Sequence, residues 1–187
     1  SQHDHILVDN TAAAADCLGV DATAVSRVDF LIDNAGFELV GDLALADYLL
    51  TTGKAAAVHF HVKMHPTFVS DAITGDVIKT LTRLAGETDS ATAKMARRLQ
   101  NHLRHGRLQL QTHTFWTSPL PMWQMPADLQ AELGQARLLI SKGDANYRRL
   151  LGDAHWPFTT PFATIVSYLP APLVALRTIK SEVAAGL

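Results

Sequence analysis

Short apolar runs alternate with stretches of helical periodicity along this chain. Arg27 to Ile32 reads RVDFLI, and Ala55 to Val62 is a nearly continuous apolar run, so both are predicted to be strands. Between them, apolar residues recur at helical spacing from about Phe37 to Leu50, which predicts a helix. Because such alternation is typical of βαβ units, we expect an α/β fold. The expected architecture is a three-layer, Rossmann-like, mainly parallel sheet with helices on both faces.

The rest of the chain repeats this alternation. Further helices are predicted at Thr11 to Leu18, Ala72 to Leu84, Thr88 to Leu103, Ala127 to Gln135 and Ala145 to Leu151. Further strands are predicted at Arg107 to Gln111, Arg137 to Ile140 and Leu176 to Ile179, and a long surface loop is predicted at Thr112 to Pro126. A length of 187 residues fits a single domain.

Composition narrows the class of protein. Apolar residues make up 48% and charged residues 18%, which is typical of a globular protein. The net charge of −2 does not indicate nucleic acid or an anionic membrane as a partner, and no apolar run approaches the roughly 20 residues of a membrane span. Ser1 to Asn10 is polar, so no signal peptide is expected. Cys17 is the single cysteine, so a reducing cytoplasm is the expected location. The oligomeric state is left open.

Polar residues follow several of the predicted strands. Asp33 and Asn34 come directly after the first strand, Asp71 follows the loop after the second, and Asp144 follows a later strand. In open parallel sheets, sites form beyond the carboxyl ends of the strands, at a switch point in strand order. Two carboxylates and an amide oxygen suit Mg²⁺ or Mn²⁺. The alternative for the Asp-Asn pair is a turn in which the side chains bond their own backbone.

Basic residues near the same strand ends are candidates for holding phosphate. The stretch from Ser141 to Arg149 joins a strand to a helix and carries Lys142 and Arg148. Alternation along the last predicted strand would let Lys180 reach over the sheet end. Each has a simpler alternative, a capped helix with exposed arginines or a solvated edge. Glu38 lies in the first turn of its helix, where it either complements the helix dipole or contacts a ligand.

His59 and His61 are two residues apart on the second predicted strand, so they share a face. A His-x-His pair can bind zinc, but no third histidine or cysteine lies at a diagnostic spacing. We therefore predict that both histidines lie in the core or support a neighbouring site.

Four stretches of the chain, taken together, resemble one known family. They are Asp33 to Leu39 (DNAGFEL), Pro66 to Asp71 (PTFVSD), Lys142 to Arg148 (KGDANYR) and Arg177 to Lys180 (RTIK). In this order they resemble the damage-control phosphatases, in the branch also described as acidic-residue (protein-glutamate) methyltransferase-like. The resemblance runs from about Arg27 to Lys180.

The resemblance implies a metal-dependent phosphatase that uses Mn²⁺, Mg²⁺, Co²⁺ or Ni²⁺. The implied substrates are small phosphorylated metabolites, such as fructose 1-phosphate and other sugar phosphates. Asp33, Asn34 and Asp71 match the family's metal ligands and would form the catalytic centre. Residues that match or adjoin the substrate pocket are Glu38, Lys142, Asp144, Asn146, Arg148 and Lys180. The nucleophile would be water or a carboxylate, with Asp33 as the first candidate.

The chain departs from the usual pattern of this branch at both ends. About 26 residues precede the first predicted strand, where a substantial helical region is usual, and seven residues follow the RTIK motif. We therefore expect a fragment lacking an N-terminal helical region and a C-terminal tail, or a compact relative. The rival functions are an S-adenosylmethionine-dependent protein carboxyl methyltransferase and a non-catalytic metal- or phosphate-binding module. No glycine-rich loop follows the first predicted strand to support the methyltransferase.

Overall fold

A five-stranded parallel sheet forms the centre of the protein. The computed structural model describes residues 5–19 and 26–187. Its strands are β1 (Arg27–Leu31), β2 (Ala57–Val62), β3 (Leu108–Thr112), β4 (Leu138–Lys142) and β5 (Leu173–Leu176). Its α-helices are α1 (Thr11–Leu18), α2 (Phe37–Thr51), α3 (Thr74–Ala85), α4 (Ser90–Arg104), α5 (Ala127–Leu133), α6 (Gly143–Leu150) and α7 (Phe162–Ile165). Short 3-10 helices occur at Thr114–Thr117 and Met122–Gln124.

Both faces of the sheet are covered, which explains why the strands are so apolar. Every residue of β1 is buried. Val28 and Phe30 contribute to a core that includes residues of α2, α3 and α4. Leu31, on the opposite face, contributes to a second core built with α5, α6 and α7. The prediction of an α/β fold with helices on both faces is therefore confirmed.

The strand order β3-β2-β1-β4-β5 makes β1 the central strand. From β1 the chain moves outward through β2 to β3, then returns to the other side of β1 and adds β4 and β5. Phe30 of β1 pairs with Phe60 of β2 on one side and with Ile140 of β4 on the other. The order of connection therefore reverses at β1, and ligand sites in open α/β sheets form at such a point.

Most of the predicted elements agree with the structure to within two residues at each end. The predicted last strand, Leu176 to Ile179, is wrong, because β5 is Leu173–Leu176. Pairing with β4 begins directly after Pro172, whose carbonyl accepts a hydrogen bond from the Leu139 amide at 2.8 Å. Lys180 therefore lies beyond the strand, and the alternation that was expected to direct it does not apply. The search for membrane-spanning segments, made over the described residues, finds no helix with the length and apolarity required.

Candidate active site

Main-chain hydrogen bonds bring Asp33, Asn34 and Asp71 together at the carboxyl end of β1. Asn34 and Asp71 form an isolated antiparallel bridge. The Ala35 amide donates to the Ser70 carbonyl at 2.7 Å, and the Ala72 amide donates to the Asp33 carbonyl at 2.9 Å. Residues 37 positions apart in sequence are therefore held side by side by the backbone itself.

The Asp71 side chain is surrounded by donors. Its Oδ2 accepts hydrogen bonds from the backbone amides of Thr67 and Phe68, both at 2.9 Å. Its Oδ1 lies 3.3 Å from the ammonium nitrogen of Lys63, which is as buried as Asp71 itself. Sequence analysis did not select Lys63 as a site residue. The signal that could have identified Lys63 is its position, because it follows His59 and His61 at alternate positions and so continues their face of the sheet.

Asp33 is the buried carboxylate with the least favourable surroundings in this region. Its side chain accepts a hydrogen bond from Asn34 Nδ2 at 3.1 Å, and the residue is 5% exposed. Burial raises the pKa of Asp33 from an ordinary 3.8 to about 6, and the negative charges of Glu38 and Asp71 add to the rise. The charges of Lys63 and Lys180 act against it. A cation bound beside Asp33 would relieve this cost.

The side chain of Asn34 links both acidic neighbours. Its amide nitrogen donates to Asp33 and, at 3.0 Å, to Glu38 Oε2, while its oxygen accepts from Ser70 Oγ at 2.6 Å. A half-turn of the amide exchanges the oxygen and nitrogen positions. The oxygen would then face Asp33 and Glu38, and the nitrogen would face Ser70 Oγ.

Gly143 allows β4 and α6 to approach Asp33 closely. A Cβ atom at this glycine would lie 1.8 Å from Asp33 Oδ2, and its φ of +80° also disfavours other residues. The glycine of the KGDANYR stretch therefore has a steric role next to the candidate ligand.

Two predicted substrate residues, Lys142 and Glu38, contact each other beside Asn34. The Lys142 ammonium lies 3.6 Å from Glu38 Oε1 and 2.8 Å from Asp42 Oδ1. Burial raises the pKa of Asp42, although its hydrogen bond with Lys142 acts in the opposite direction. Asp42 is a further buried acid that sequence analysis missed, because its position in α2 fits an ordinary helix.

Other predicted substrate residues are engaged elsewhere. Asn146 is buried, and its amide donates to the carbonyls of Leu31 at 3.2 Å and Lys142 at 3.0 Å. Arg148 makes an exposed two-pronged pair with Asp153. These contacts give Asn146 a structural task at the β1–β4 junction. They do not bring Arg148 into contact with Asp33 or Asp71.

Asp144 is engaged by Arg177, a residue that sequence analysis named in a motif but did not select for the site. The Arg177 guanidinium donates to Asp144 Oδ1 at 2.8 Å and lies over the Tyr147 ring at 4.1 Å. It also donates to the carbonyl of Val183 at 2.6 Å and to Ser181. Arg177 therefore fastens the chain on both sides of Lys180 to α6, which keeps Lys180 near enough to act on the charge of Asp33.

The chemistry of the donor atoms bears on which cation this region could accept. Among the residues that the structure describes, no group of three or more histidine, cysteine or acidic side chains is arranged to hold a metal. The predicted ligand set contains two acids and one amide, all of them oxygen donors of the kind that Mg²⁺ and Mn²⁺ accept. Four carboxylates and three ammonium groups interact in this region, those of Asp33, Glu38, Asp42 and Asp71 and of Lys63, Lys142 and Lys180. The excess of negative charge favours a cation.

The predicted core role of the two histidines is confirmed, in a second buried cluster on the opposite side of β1 from α2. Asp29, which is 0% exposed, accepts hydrogen bonds from Arg27 Nε at 2.7 Å and Nη2 at 2.9 Å. His61 Nε2 lies 3.0 Å from Asp29 Oδ2, the oxygen that also accepts from Arg27 Nη2. His59 is buried beside them, with its Nδ1 3.5 Å from Glu132 Oε1.

Comparisons with known proteins point to one family. The family model described as "Damage-control phosphatase ARMT1-like domain" matches residues 1–187. The chain is 42% identical over 169 residues to damage-control phosphatase ARMT1 of Mus musculus, 41% over 167 residues to that of Xenopus laevis and 39% over 171 residues to that of Homo sapiens. These matches cover 88%, 87% and 89% of this chain. The chain spans 38 to 39% of the length of these relatives.

Proposed function

Because this chain belongs to the ARMT1-like damage-control phosphatase domain family, we propose that it carries the catalytic centre of a metal-dependent phosphatase acting on small phosphorylated metabolites. The observation that carries the proposal is the convergence of Asp33, Asn34 and Asp71 at the strand-order reversal, where burial keeps the pKa of Asp33 raised despite the charges of Lys63 and Lys180. A carboxylate perturbed by burial and by like charges is typical of functional sites. The relatives share the name of a phosphatase, which supports the same reaction class.

The ligand roles follow from the positions of the oxygen atoms. Asp33 and Asp71 would hold the cation with their carboxylates, and Asn34 would add its amide oxygen after the half-turn described above. When bound, the metal would supply a Lewis acid that offsets charge growing on the phosphoryl group. We propose Mn²⁺ or Mg²⁺ as the physiological ion, with Co²⁺ or Ni²⁺ as possible substitutes, because these cations accept oxygen ligands.

Lysine side chains would position the phosphate. Lys180 acts on the charge of Asp33, and Lys142 is held by Glu38 and Asp42 next to the same turn. Their ammonium groups would attract the remaining phosphate oxygens and stabilise the charge that is shared among them during transfer. The proposed substrates are sugar phosphates such as fructose 1-phosphate. The cytoplasm is the proposed compartment, supported by the single cysteine of the sequence.

A phosphate-release panel tests this proposal. The chain would be stripped with a chelator, reloaded separately with Mn²⁺, Mg²⁺, Co²⁺ or Ni²⁺, and assayed against sugar phosphates and other small phosphomonoesters. We expect turnover that requires added metal and is lost in Asp71→Asn. A parallel incubation with a labelled methyl donor and acidic protein covers the methyltransferase alternative.

The outcomes separate the three functions. Metal-dependent phosphate release that Asp71→Asn abolishes supports the phosphatase. Label transferred to protein without phosphate release would replace it with the methyltransferase. Metal binding that Asp71→Asn weakens, with no phosphate release from any substrate in the panel, would leave a binding module.

A further inference from the structure

Lys63 places a fixed positive charge inside the candidate metal site. Its ammonium lies 3.3 Å from Asp71 Oδ1, and the side chain is 6% exposed. Among the favourable charges acting on Asp33, that of Lys63 is the largest. One lysine therefore acts on both carboxylates of the proposed ligand set.

The fold does not need this ammonium to orient Asp71. Two backbone amides already hold Asp71 Oδ2, and the bridge to Asn34 holds its backbone. Lys63 is itself fixed through its main chain, since its amide donates to the Ala72 carbonyl at 3.0 Å and it bridges to Ile73. What the ammonium adds to the site is charge.

We propose that Lys63 is a built-in counter-ion, whose charge lowers the affinity of Asp33 and Asp71 for a divalent cation and raises the affinity of the cation-bound site for phosphate. The proposal rests on the function proposed above and names a charge-balancing residue for it. In the metal-free protein, Lys63 partly neutralises the two carboxylates. Once a cation is present, the same positive charge repels that cation and attracts the phosphate dianion.

The two effects have opposite signs, which distinguishes this role from a merely structural one. Loss of a residue that only supports the shape of the site would weaken metal and phosphate binding together. Loss of a counter-ion should strengthen metal binding and weaken phosphate binding. Because the carboxylates and Lys63 are buried, the interaction is poorly screened by solvent, and each change should be about tenfold or larger.

The test compares Lys63→Met with the wild-type chain. Methionine retains the apolar stem and removes the charge. Mn²⁺ affinity would be measured from the electron paramagnetic resonance signal of free Mn²⁺, without substrate. Affinity for inorganic phosphate would be measured by calorimetry on Mg²⁺-saturated protein. We expect Lys63→Met to bind Mn²⁺ about tenfold more tightly and phosphate about tenfold more weakly.

Two further variants keep the result interpretable. Lys63→Arg retains the charge and should leave both affinities within a few-fold of wild type. Lys79→Met makes the same chemical change at an exposed position of α3 and should alter neither affinity. Circular dichroism melts would establish that each variant is folded.

Unchanged or weaker Mn²⁺ binding by folded Lys63→Met, or unchanged phosphate binding, would overturn the counter-ion role. Failure of the proposed function has a different signature, since wild type and Asp71→Asn would then bind Mn²⁺ equally. In that case the site holds no metal, and both proposals fall.

Discussion

Two buried carboxylates, Asp29 and Asp33, lie four residues apart near β1 and have opposite surroundings. Asp29 faces the two-pronged guanidinium of Arg27 and the ring of His61. Asp33 faces Asn34, and burial, with a smaller contribution from the charges of Glu38 and Asp71, raises its pKa to about 6 although Lys63 and Lys180 oppose the rise. One acid is enclosed by positive or donating partners, whereas the other lies beside like charges that Lys63 and Lys180 offset only in part.

The difference indicates what each acid is for. A buried ion pair with good geometry serves the fold, and removing one partner leaves the other charge uncompensated. A buried carboxylate that the protein neutralises only in part lowers stability and is retained where a ligand can complete the neutralisation. Asp29 and Asp33 are both buried, so burial does not distinguish their roles. Their different hydrogen-bond and charge partners do.

Asp33→Asn should cause the largest loss of activity and should raise the stability of the metal-free protein. The proposed phosphatase activity should fall on the order of 10³-fold, because Asp33 is a proposed metal ligand. The metal-free protein at pH 7 should become more stable by up to about 3 kcal/mol, since the pKa of Asp33 is raised from 3.8 to about 6 by burial and the charged form is costly. Phosphate release and urea unfolding in chelator measure the two effects. A variant that loses stability as well as activity would contradict the comparison.

Asp29→Asn should lower stability and leave activity unchanged. The unfolding free energy should fall by about 3 kcal/mol, because Arg27 and His61 lose their shared charged partner. Turnover per folded molecule should stay near wild type. Glu87→Gln is the matched control, since Glu87 forms an exposed pair with Arg83 and should cost about 0.5 kcal/mol or less. Equal losses from the two variants would remove the structural role assigned to Asp29.

Gly143→Ala tests how tightly the structure encloses Asp33. The new Cβ would meet Asp33 Oδ2 at 1.8 Å, so the carboxylate or the β4–α6 turn must move. Gly53→Ala is the control, because Gly53 has a similar φ of +72° and nothing within 4 Å of its Cβ position.

Both alanines should cost about 1 kcal/mol for their backbone conformation. Gly143→Ala should cost about 1 to 3 kcal/mol more and should also reduce turnover. Equal unfolding free energies for the two variants would mean that the Asp33 side chain moves away without cost.

His59 should give the smallest effect, seen in the pH dependence of stability. Burial lowers the pKa of His59 from its ordinary 6.5, although Asp29 and Glu132 oppose the shift and Arg27 and His61 add to it. The unfolded chain therefore binds a proton more readily, so stability is lost as pH falls below about 6.5. His59→Gln should flatten this part of the profile, measured by urea unfolding from pH 5 to 8. Parallel profiles for both proteins would contradict the burial effect.

Local patterns predicted most of the fold and part of the site. Asp33 could be placed because a strand of buried residues stops just before it, and α2 because its apolar residues recur at helical spacing. The last strand was misplaced by a few residues, because Leu173 to Ile179 is apolar enough to pair in more than one register. Pairing of Leu139 with Leu173 decided between them, and that is a tertiary contact.

The partners of the site residues could not be read from local sequence. Arg177 and Asp144 are 33 residues apart, and Asp29 and His61 are 32 apart. Each pair forms because strands or turns meet in space. The same reason explains why the contacts of Asp144 with Arg177, and of Asn146 with main-chain carbonyls, could not be predicted for these two residues, which the family resemblance matches to a substrate pocket.

The antiparallel bridge between Asn34 and Asp71 has a practical consequence for redesign. Backbone atoms, through Ala35 with Ser70 and Ala72 with Asp33, hold these positions whatever side chains they carry. An engineer could therefore exchange the oxygen donor at position 34, which is half-buried, for an imidazole while the backbone keeps its spacing. The region around the Asn34–Asp71 bridge would then favour softer ions such as zinc or copper.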